Sequence, residues 1–146
     1  MTLKEQIETD LISAMKAGDI ITREVLRGLK SAISYWQIAQ SKDAQDEDIF
    51  GLIKTAIKQR AESSEQYILA KRTELAEKEQ KEAEILKKYL PEQLSIEEIT
   101  KIVDQTVVKF DKDIKNMGVI MAEIKKSVGA RADMGQVSSL VKTKLT

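Results

Sequence analysis

Apolar residues recur at every third or fourth position along most of the chain, which is the spacing of one buried face of an α-helix. The first helix is predicted over 2–16, where Thr2 and Glu5 form a capping-box pair at its start. Gly18 follows as a stop signal, because glycine readily takes the positive φ that ends a helix. A second helix is predicted over 21–39. Its apolar positions are Val25, Leu26, Leu29, Ala32, Ile33 and Trp36.

The acid-rich stretch SKDAQDED separates this helix from a third one, which is predicted to run to about residue 70. The acids lack the central glycine and distal glutamate of a calcium loop, so we interpret them as the charged start of the third helix. Between Ala70 and Leu90 charged residues dominate, and opposite charges stand four residues apart, which predicts an exposed helix in the early half of this segment. These pairs are Glu77–Lys81, Lys78–Glu82 and Glu84–Lys88. Ile85, Leu86 and Tyr89 are predicted to return the end of the segment to a core.

Pro91 marks a predicted boundary, because proline disfavours helical backbone at the residue before it. Ser95 and Glu98 then form a second capping box, which opens a series of three shorter helices. The sequence therefore predicts an all-α fold, with an N-terminal helical hairpin or bundle unit followed by a small three-helix C-terminal unit. The predicted boundaries are 1–90 for the N-terminal unit, 91–94 for a linker around Pro91, and 95–146 for the C-terminal unit.

The composition restricts the chemistry that this chain can perform. Cysteine and histidine are both absent, which excludes disulfides, thiolate nucleophiles, imidazole bases and the usual zinc or haem ligands. The serine pairs at 63–64 and 138–139 have no base near them in the sequence. We therefore predict no catalytic residue, no bound metal and no cofactor.

The ends and the charge balance of the chain bear on its location and partners. The start MTLKEQIETD is too polar for a signal peptide and no apolar run could span a bilayer, so we expect a soluble cytoplasmic protein without a membrane partner. Basic and acidic residues are equal, 24 of each, but residues 95–146 hold nine basic and seven acidic groups. A generally basic nucleic-acid binder is excluded, whereas a local basic face is not.

Several groups of basic residues are candidates for phosphate contact. Arg23, Arg27 and Lys30 share one side of the second helix at spacings of four and three residues. Another group lies around Lys58 on the third helix, with Lys54 and Arg60. In both, the alternative is pairing with Glu62, Glu65 or the acid-rich helix at 74–84. Together with the C-terminal group, the residues predicted to bind nucleic acid are Lys125, Lys126, Arg131, Lys142, Lys144, Arg23, Arg27 and Lys30.

The closing segment GARADMG, at 129–135, admits two interpretations: a phosphate-binding loop or a turn between helices. Asp133 is expected to cap the last helix, which places a carboxylate on the N–H groups that a phosphate would need. Gly129 is expected to end the preceding helix with positive φ. A capped turn is therefore predicted, with Arg131 at its tip beside Lys125 and Lys126. No aromatic residue lies among these cations, so recognition of nucleic-acid backbone or shape is expected rather than base stacking.

Short motifs along nearly the whole chain resemble the free-standing YqeY proteins. They are RGLKSAI at 27–33, IKQR at 57–60, AKR at 70–72, ELAE at 74–77, KYLPEQL at 88–94, NMGVIM at 116–121 and GARAD at 129–133. The segment from about residue 95 is also similar to the C-terminal domain of the GatB subunit of glutamine-dependent aminoacyl-tRNA amidotransferase.

This resemblance implies a two-part helical protein that binds tRNA or another structured RNA through contacts with its backbone and shape. It would also imply carbon–nitrogen ligase activity with glutamine as amido donor, although that chemistry resides in other parts of the amidotransferase. Two alternatives stay open. The chain is an adaptor for a protein of the translation or amidotransferase machinery, using the charged helix at 71–84 or a groove between the units, or it is an accessory in amide transfer.

Overall fold

The computed structural model describes all residues, 1–146, and it confirms the predicted all-α fold: seven α-helices and two single 3₁₀ turns, with no strand. The chain forms two compact units, Met1–Leu90 and Pro91–Thr146. The helices are α1 (Leu3–Ala17), α2 (Ile20–Gln40), α3 (Asp46–Leu69), α4 (Thr73–Lys87), α5 (Ile96–Lys109), α6 (Met117–Val128) and α7 (Met134–Leu145).

The N-terminal unit is built from α1 to α4 around an aliphatic core. The fully buried side chains at its centre are Ile7, Val25, Leu26, Ile49, Ile53 and Leu86. Both ends of α1 are fixed by the predicted local signals: Thr2 and Glu5 cap its start reciprocally, and Gly18 ends it with φ +72°. Asp19 then caps α2 by accepting the backbone N–H of Thr22 at 3.1 Å. The buried residues of α2, which are Val25, Leu26, Leu29 and Ile33, all belong to the apolar face predicted from the sequence.

Helices α3 and α4 pack along each other and extend past this core as a two-helix arm, residues 58–84. The last α3 residue packed against the core is Ile57, so α3 continues for twelve residues to Leu69, which is about 18 Å of helix. Small side chains let the two helices approach within the arm. Ser64 donates a hydrogen bond to the Ala76 carbonyl at 3.3 Å, and both residues are buried.

The C-terminal unit packs α5, α6 and α7 around a second aliphatic core. Its buried members are Ile99, Val103, Val107, Ile120, Ile124, Val128, Ala132, Val137 and Val141. Ser95 and Glu98 form the predicted capping box at the start of α5. A 3₁₀ turn at Ile114–Asn116, capped by Asp113, leads into α6. The three helices thus bury one stripe each, as their apolar spacing predicts.

Candidate nucleic-acid interface

The connection between α6 and α7 is a tight turn whose anion-binding groups are already occupied. Gly129 ends α6 with φ +54°, and Gly129–Arg131 form a single 3₁₀ turn. The Asp133 carboxylate accepts the N–H of Gly135 at 3.1 Å and so caps α7. The capped turn predicted from the sequence is confirmed. Because a carboxylate already neutralises the start of α7, the helix N-terminus is not available to a phosphate.

Arg131 lies on the outside of this turn and its backbone is firmly held. Its carbonyl accepts the N–H of Leu94 at 2.8 Å, and the neighbouring Ala130 carbonyl accepts from the Gln93 side chain at 3.1 Å. The Arg131 Nε donates a long hydrogen bond, 3.4 Å, to the carbonyl of Glu92. The exposed guanidinium has no carboxylate partner, so its positive charge is directed to solvent.

Lys125 and Lys126 occupy the last turn of α6, immediately before the turn that carries Arg131. Both are exposed and neither forms an ion pair. Cations at a helix C-terminus also interact favourably with the helix dipole, which is their ordinary structural role. The structure thus brings three unpaired cations together within seven residues of chain.

The remaining two predicted C-terminal cations, Lys142 and Lys144, lie apart from this group, in the last turn of α7. Lys142 is exposed and unpaired, whereas the ammonium of Lys144 lies 3.1 Å from the Asp104 carboxylate on α5. Both are in the last turn of α7, and Lys142 is about 12 Å along the helix axis from Met134. Lys142 therefore adds charge to the same hairpin but not to the group at the turn.

We call residues 117–145, comprising α6, the turn and α7, the basic hairpin. It contains five basic residues and only two acidic ones, Glu123 and Asp133. Both acids have other partners: Glu123 lies 3.7 Å from Lys109 on α5, and Asp133 caps α7. The cations of the basic hairpin are therefore largely uncompensated.

The predicted N-terminal group differs, because each of its members faces a carboxylate. Arg23 and Arg27 share Glu24, at 3.0 and 3.6 Å. Lys30 forms an ion pair with Glu8 on α1. The structure thus places the three on one exposed side of α2 as predicted, but with their charge compensated.

Four exposed apolar residues were not predicted as functional. Tyr35 and Ile38 are each 78% exposed on α2, while Ile68 and Leu69 are 55% and 84% exposed at the tip of the arm. The sequence signals three of them, since Tyr35, Ile38 and Leu69 lie off the apolar stripes. Ile68 instead continues the helical spacing of Ile53 and Ile57, so its exposure differs from the apolar pattern.

The two titratable groups with shifted pKa values have structural causes and lie in the N-terminal unit. Burial and the 2.5 Å hydrogen bond to Asp10 raise the pKa of Tyr89 above its usual value. Hydrogen bonds from the Thr22 hydroxyl and N–H lower the pKa of Asp19.

No group of three carboxylates lies close enough to hold a metal ion. None of the helices combines the length and apolar character needed to cross a bilayer.

Comparison with known proteins identifies a family and relatives that match most of the chain. A family model described as Yqey-like protein matches residues 4–145. Altered inheritance of mitochondria protein 41, mitochondrial, of Saccharomyces cerevisiae is 30% identical over 125 residues, which are 81% of this chain and 68% of that protein. The Lachancea thermotolerans protein of the same name is 38% identical over 85 residues, 58% of this chain and 46% of that protein. An uncharacterized Schizosaccharomyces pombe protein is 31% identical over 93 residues, 64% and 76% of the two chains.

These relatives correct one expectation and set a limit on inference. The expectation of a cytoplasmic location is wrong, because the two named yeast relatives are mitochondrial proteins. A polar start and a cysteine-free composition do not distinguish one aqueous, reducing compartment from another. The chain matches about half the length of the Lachancea relative, so the activity of that whole protein does not transfer directly.

Proposed function

Because the chain belongs to the YqeY-like family, we propose that it binds structured RNA, with tRNA as the first ligand to test, through the basic hairpin. One observation carries the proposal: Lys125, Lys126 and Arg131 lie within seven residues of chain, exposed and without carboxylate partners. Unpaired cations can neutralise phosphates without first breaking an ion pair within the protein. The similarity of this part of the chain to the GatB C-terminal domain points to tRNA among structured RNAs.

The chemistry of the basic hairpin favours recognition of backbone and shape. It contains no phenylalanine, tyrosine or tryptophan, so it offers no ring on which a base could stack. Its cations are one arginine and four lysines, which bind phosphate oxygens without reading sequence. We therefore expect affinity to depend on the folded form of the RNA and on salt, and little on base identity.

Salt-titrated binding of bulk tRNA to the full chain tests this proposal. The slope of log K against log salt should be steep, because each released counterion contributes to it. Charge reversal of Lys125, Lys126 and Arg131 to glutamate should lower affinity about 100-fold and reduce the slope by about two units. A matched control reverses three exposed lysines on α4, which are Lys78, Lys81 and Lys87.

The control separates local contact from net charge, since both variants change the charge of the chain equally. We expect the α4 variant to bind tRNA within about threefold of the unmodified chain. Equal losses in the two variants, or no tRNA binding at low salt, would refute the proposal. Because the yeast relatives are mitochondrial proteins, mitochondrial tRNA should be included beside bulk tRNA.

A second candidate function, a protein-interaction adaptor, is favoured by the tip of the arm. Ile68 and Leu69 are exposed there beside two cations, Lys71 and Arg72. Lys71 also holds φ +59°, a conformation that non-glycine residues adopt infrequently. The rest of the arm, residues 58–70 and 73–84, holds seven acidic and four basic groups, and this excess of acids disfavours RNA.

Affinity purification from nuclease-treated extract tests the adaptor function. A stoichiometric protein partner should be retained by the unmodified chain and lost with the double substitution Ile68→Ser and Leu69→Ser. The control substitutes two exposed apolar residues of α1, Ile12 and Met15, with serine. A partner that is removed by nuclease, or that is retained by the tip variant, would count against this function.

A further inference from the structure

A groove of about 520 Å³ lies on the exposed side of α2, against Leu11 of α1. This volume is within the range of small-ligand sites in proteins. The α2 residues that line it are Arg27, Lys30, Ser31, Ser34, Tyr35 and Ile38. Their spacing of three and four residues places them on one helical face, so they form a continuous strip.

Tyr35 is the most distinctive group of this strip. It is 78% exposed, whereas the other five aromatic residues of the chain are all partly buried. Ile38, one turn further on, is equally exposed and extends the apolar surface. An exposed ring beside an exposed aliphatic side chain offers a flat apolar platform of the kind on which nucleic-acid bases stack.

The other end of the strip carries groups that suit a phosphate. Arg27 lies 3.6 Å from Glu24, but both side chains are about half exposed and Glu24 is shared with Arg23 at 3.0 Å. Such a pair is weak, and a guanidinium has five N–H donors, so Arg27 retains donors for a second anion. The hydroxyls of Ser31 and Ser34 form no hydrogen bond within the protein and add two further donors.

We propose that this groove binds a nucleoside monophosphate unit, with the base stacked on Tyr35 and Ile38 and the phosphate at Arg27 and Ser31. Four residues of helix, about 6 Å along the axis, separate Tyr35 from Ser31, and another four separate Ser31 from Arg27. A single nucleotide spans this distance, because its phosphate lies one sugar away from its base. The unit is either a free nucleotide or an unpaired nucleotide of RNA, and only the second case rests on the proposed RNA binding.

Titration of the full chain with AMP, adenosine and inorganic phosphate, followed by isothermal titration calorimetry, tests the groove. AMP should bind at least fivefold more tightly than adenosine or phosphate alone, because it occupies both ends. Tyr35→Phe should retain AMP affinity within about twofold, since it keeps the ring, whereas Tyr35→Ser should lose about 5- to 100-fold. Arg27→Gln should weaken AMP but not adenosine. Ile20→Ser, at another exposed apolar residue of α2, is the control.

A single-stranded oligoadenylate distinguishes the two sources of the nucleotide. Weakening of both AMP and the oligomer by Tyr35→Ser supports the groove with either source, and weakening of the oligomer alone supports RNA. Tyr35→Ser without effect on either ligand, or equal losses with Ile20→Ser, overturns the proposal. Charge reversal at Lys125, Lys126 and Arg131 should leave AMP binding unchanged. Failure of AMP and oligomer binding with tRNA binding retained would therefore refute the groove alone.

Discussion

The two units use the same basic residues in opposite ways. In the N-terminal unit the cations of α2 each face a carboxylate: Arg23 and Arg27 face Glu24, and Lys30 faces Glu8. In the basic hairpin, Lys125, Lys126 and Arg131 face none. Both groups are exposed and closely spaced in sequence. What distinguishes them is the supply of acids, from Glu24 on the same helix and Glu8 on α1, which determines how much of the positive charge is left uncompensated.

Charged groups of the N-terminal unit also join helices to one another. Lys30 and Glu8 connect α2 with α1, Arg60 and Glu82 connect α3 with α4 at 3.3 Å, and Tyr89 follows α4 and hydrogen-bonds to Asp10 of α1. The C-terminal unit has two such ion pairs, Lys109–Glu123 and Lys144–Asp104, and both are more exposed than Arg60–Glu82. The first unit therefore uses polar groups for its own stability, whereas the second leaves several of them to solvent.

The largest expected effect comes from the least exposed of these ion pairs. Arg60 and Glu82 are only 22% and 17% exposed, and the Arg60 Nε is buried without a hydrogen bond. Glu82→Gln should therefore cost about 2 kcal/mol, since it leaves a poorly solvated guanidinium without a counter-charge. Urea denaturation followed by the fluorescence of Trp36, the single tryptophan, measures this change in the N-terminal unit.

A matched substitution in the C-terminal unit sharpens this comparison. The Lys144–Asp104 pair is 39% and 49% exposed, so Asp104→Asn should cost less than about 0.5 kcal/mol. Hydrogen exchange of α5 measures that effect. Equal costs for the two substitutions would contradict the view that the units differ in how they use their charges.

A smaller effect is expected at the contact between Tyr89 and Asp10. Tyr89→Phe removes a charge-assisted hydrogen bond that is partly open to solvent, and should cost about 1 kcal/mol near pH 7. The raised pKa of Tyr89 means that this contribution is complete below the unfolded pKa of about 10 and is lost as pH rises above it. The unmodified chain should thus lose more stability than Tyr89→Phe between about pH 9 and pH 11. Parallel losses would contradict this assignment.

The sequence predicts the fold well because its signals are local. The capping boxes at Thr2 and Ser95, the Asp133 cap and the Gly129 stop each involve residues within a few positions of one another, and all are present in the structure. The apolar stripes are equally local in origin, since the helical period alone selects the buried face. Packing between helices then needs only aliphatic side chains of suitable size.

The candidate site is less predictable, because it depends on which charges meet in space. Lys30 and Glu8 are 22 residues apart, and no local pattern indicates that they pair. The predicted alternative for the cations of α2, pairing with acids, is present, but the partners lie on α1 and α2 rather than on α3 or α4. Similarly, Lys144 is distinguished from Lys142 only by the position of Asp104 on another helix.

Placing a carboxylate next to Lys125 and Lys126 tests directly whether local pairing distinguishes the basic hairpin from the cations of α2. Ala122 is exposed on α6, three and four residues before Lys125 and Lys126. Ala122→Glu places a carboxylate at the favourable helix spacing, so it should pair with these lysines and lower tRNA affinity about fivefold. Ala61→Glu, at an exposed alanine of α3, makes the same change in net charge and serves as the control. Similar binding by the two variants would show that local pairing is not what matters.

The converse change, releasing the paired cations of α2, has the smallest expected effect. Glu8→Gln and Glu24→Gln together leave Arg23, Arg27 and Lys30 without counter-charges. If the ion pairs are what keeps these cations from binding phosphate, tRNA affinity at low salt should rise about twofold and the salt slope should steepen. The gain is small because exposed ion pairs are weak and a phosphate already competes with them. An unchanged affinity and slope would mean that the position of α2, rather than its compensated charge, keeps these residues away from RNA.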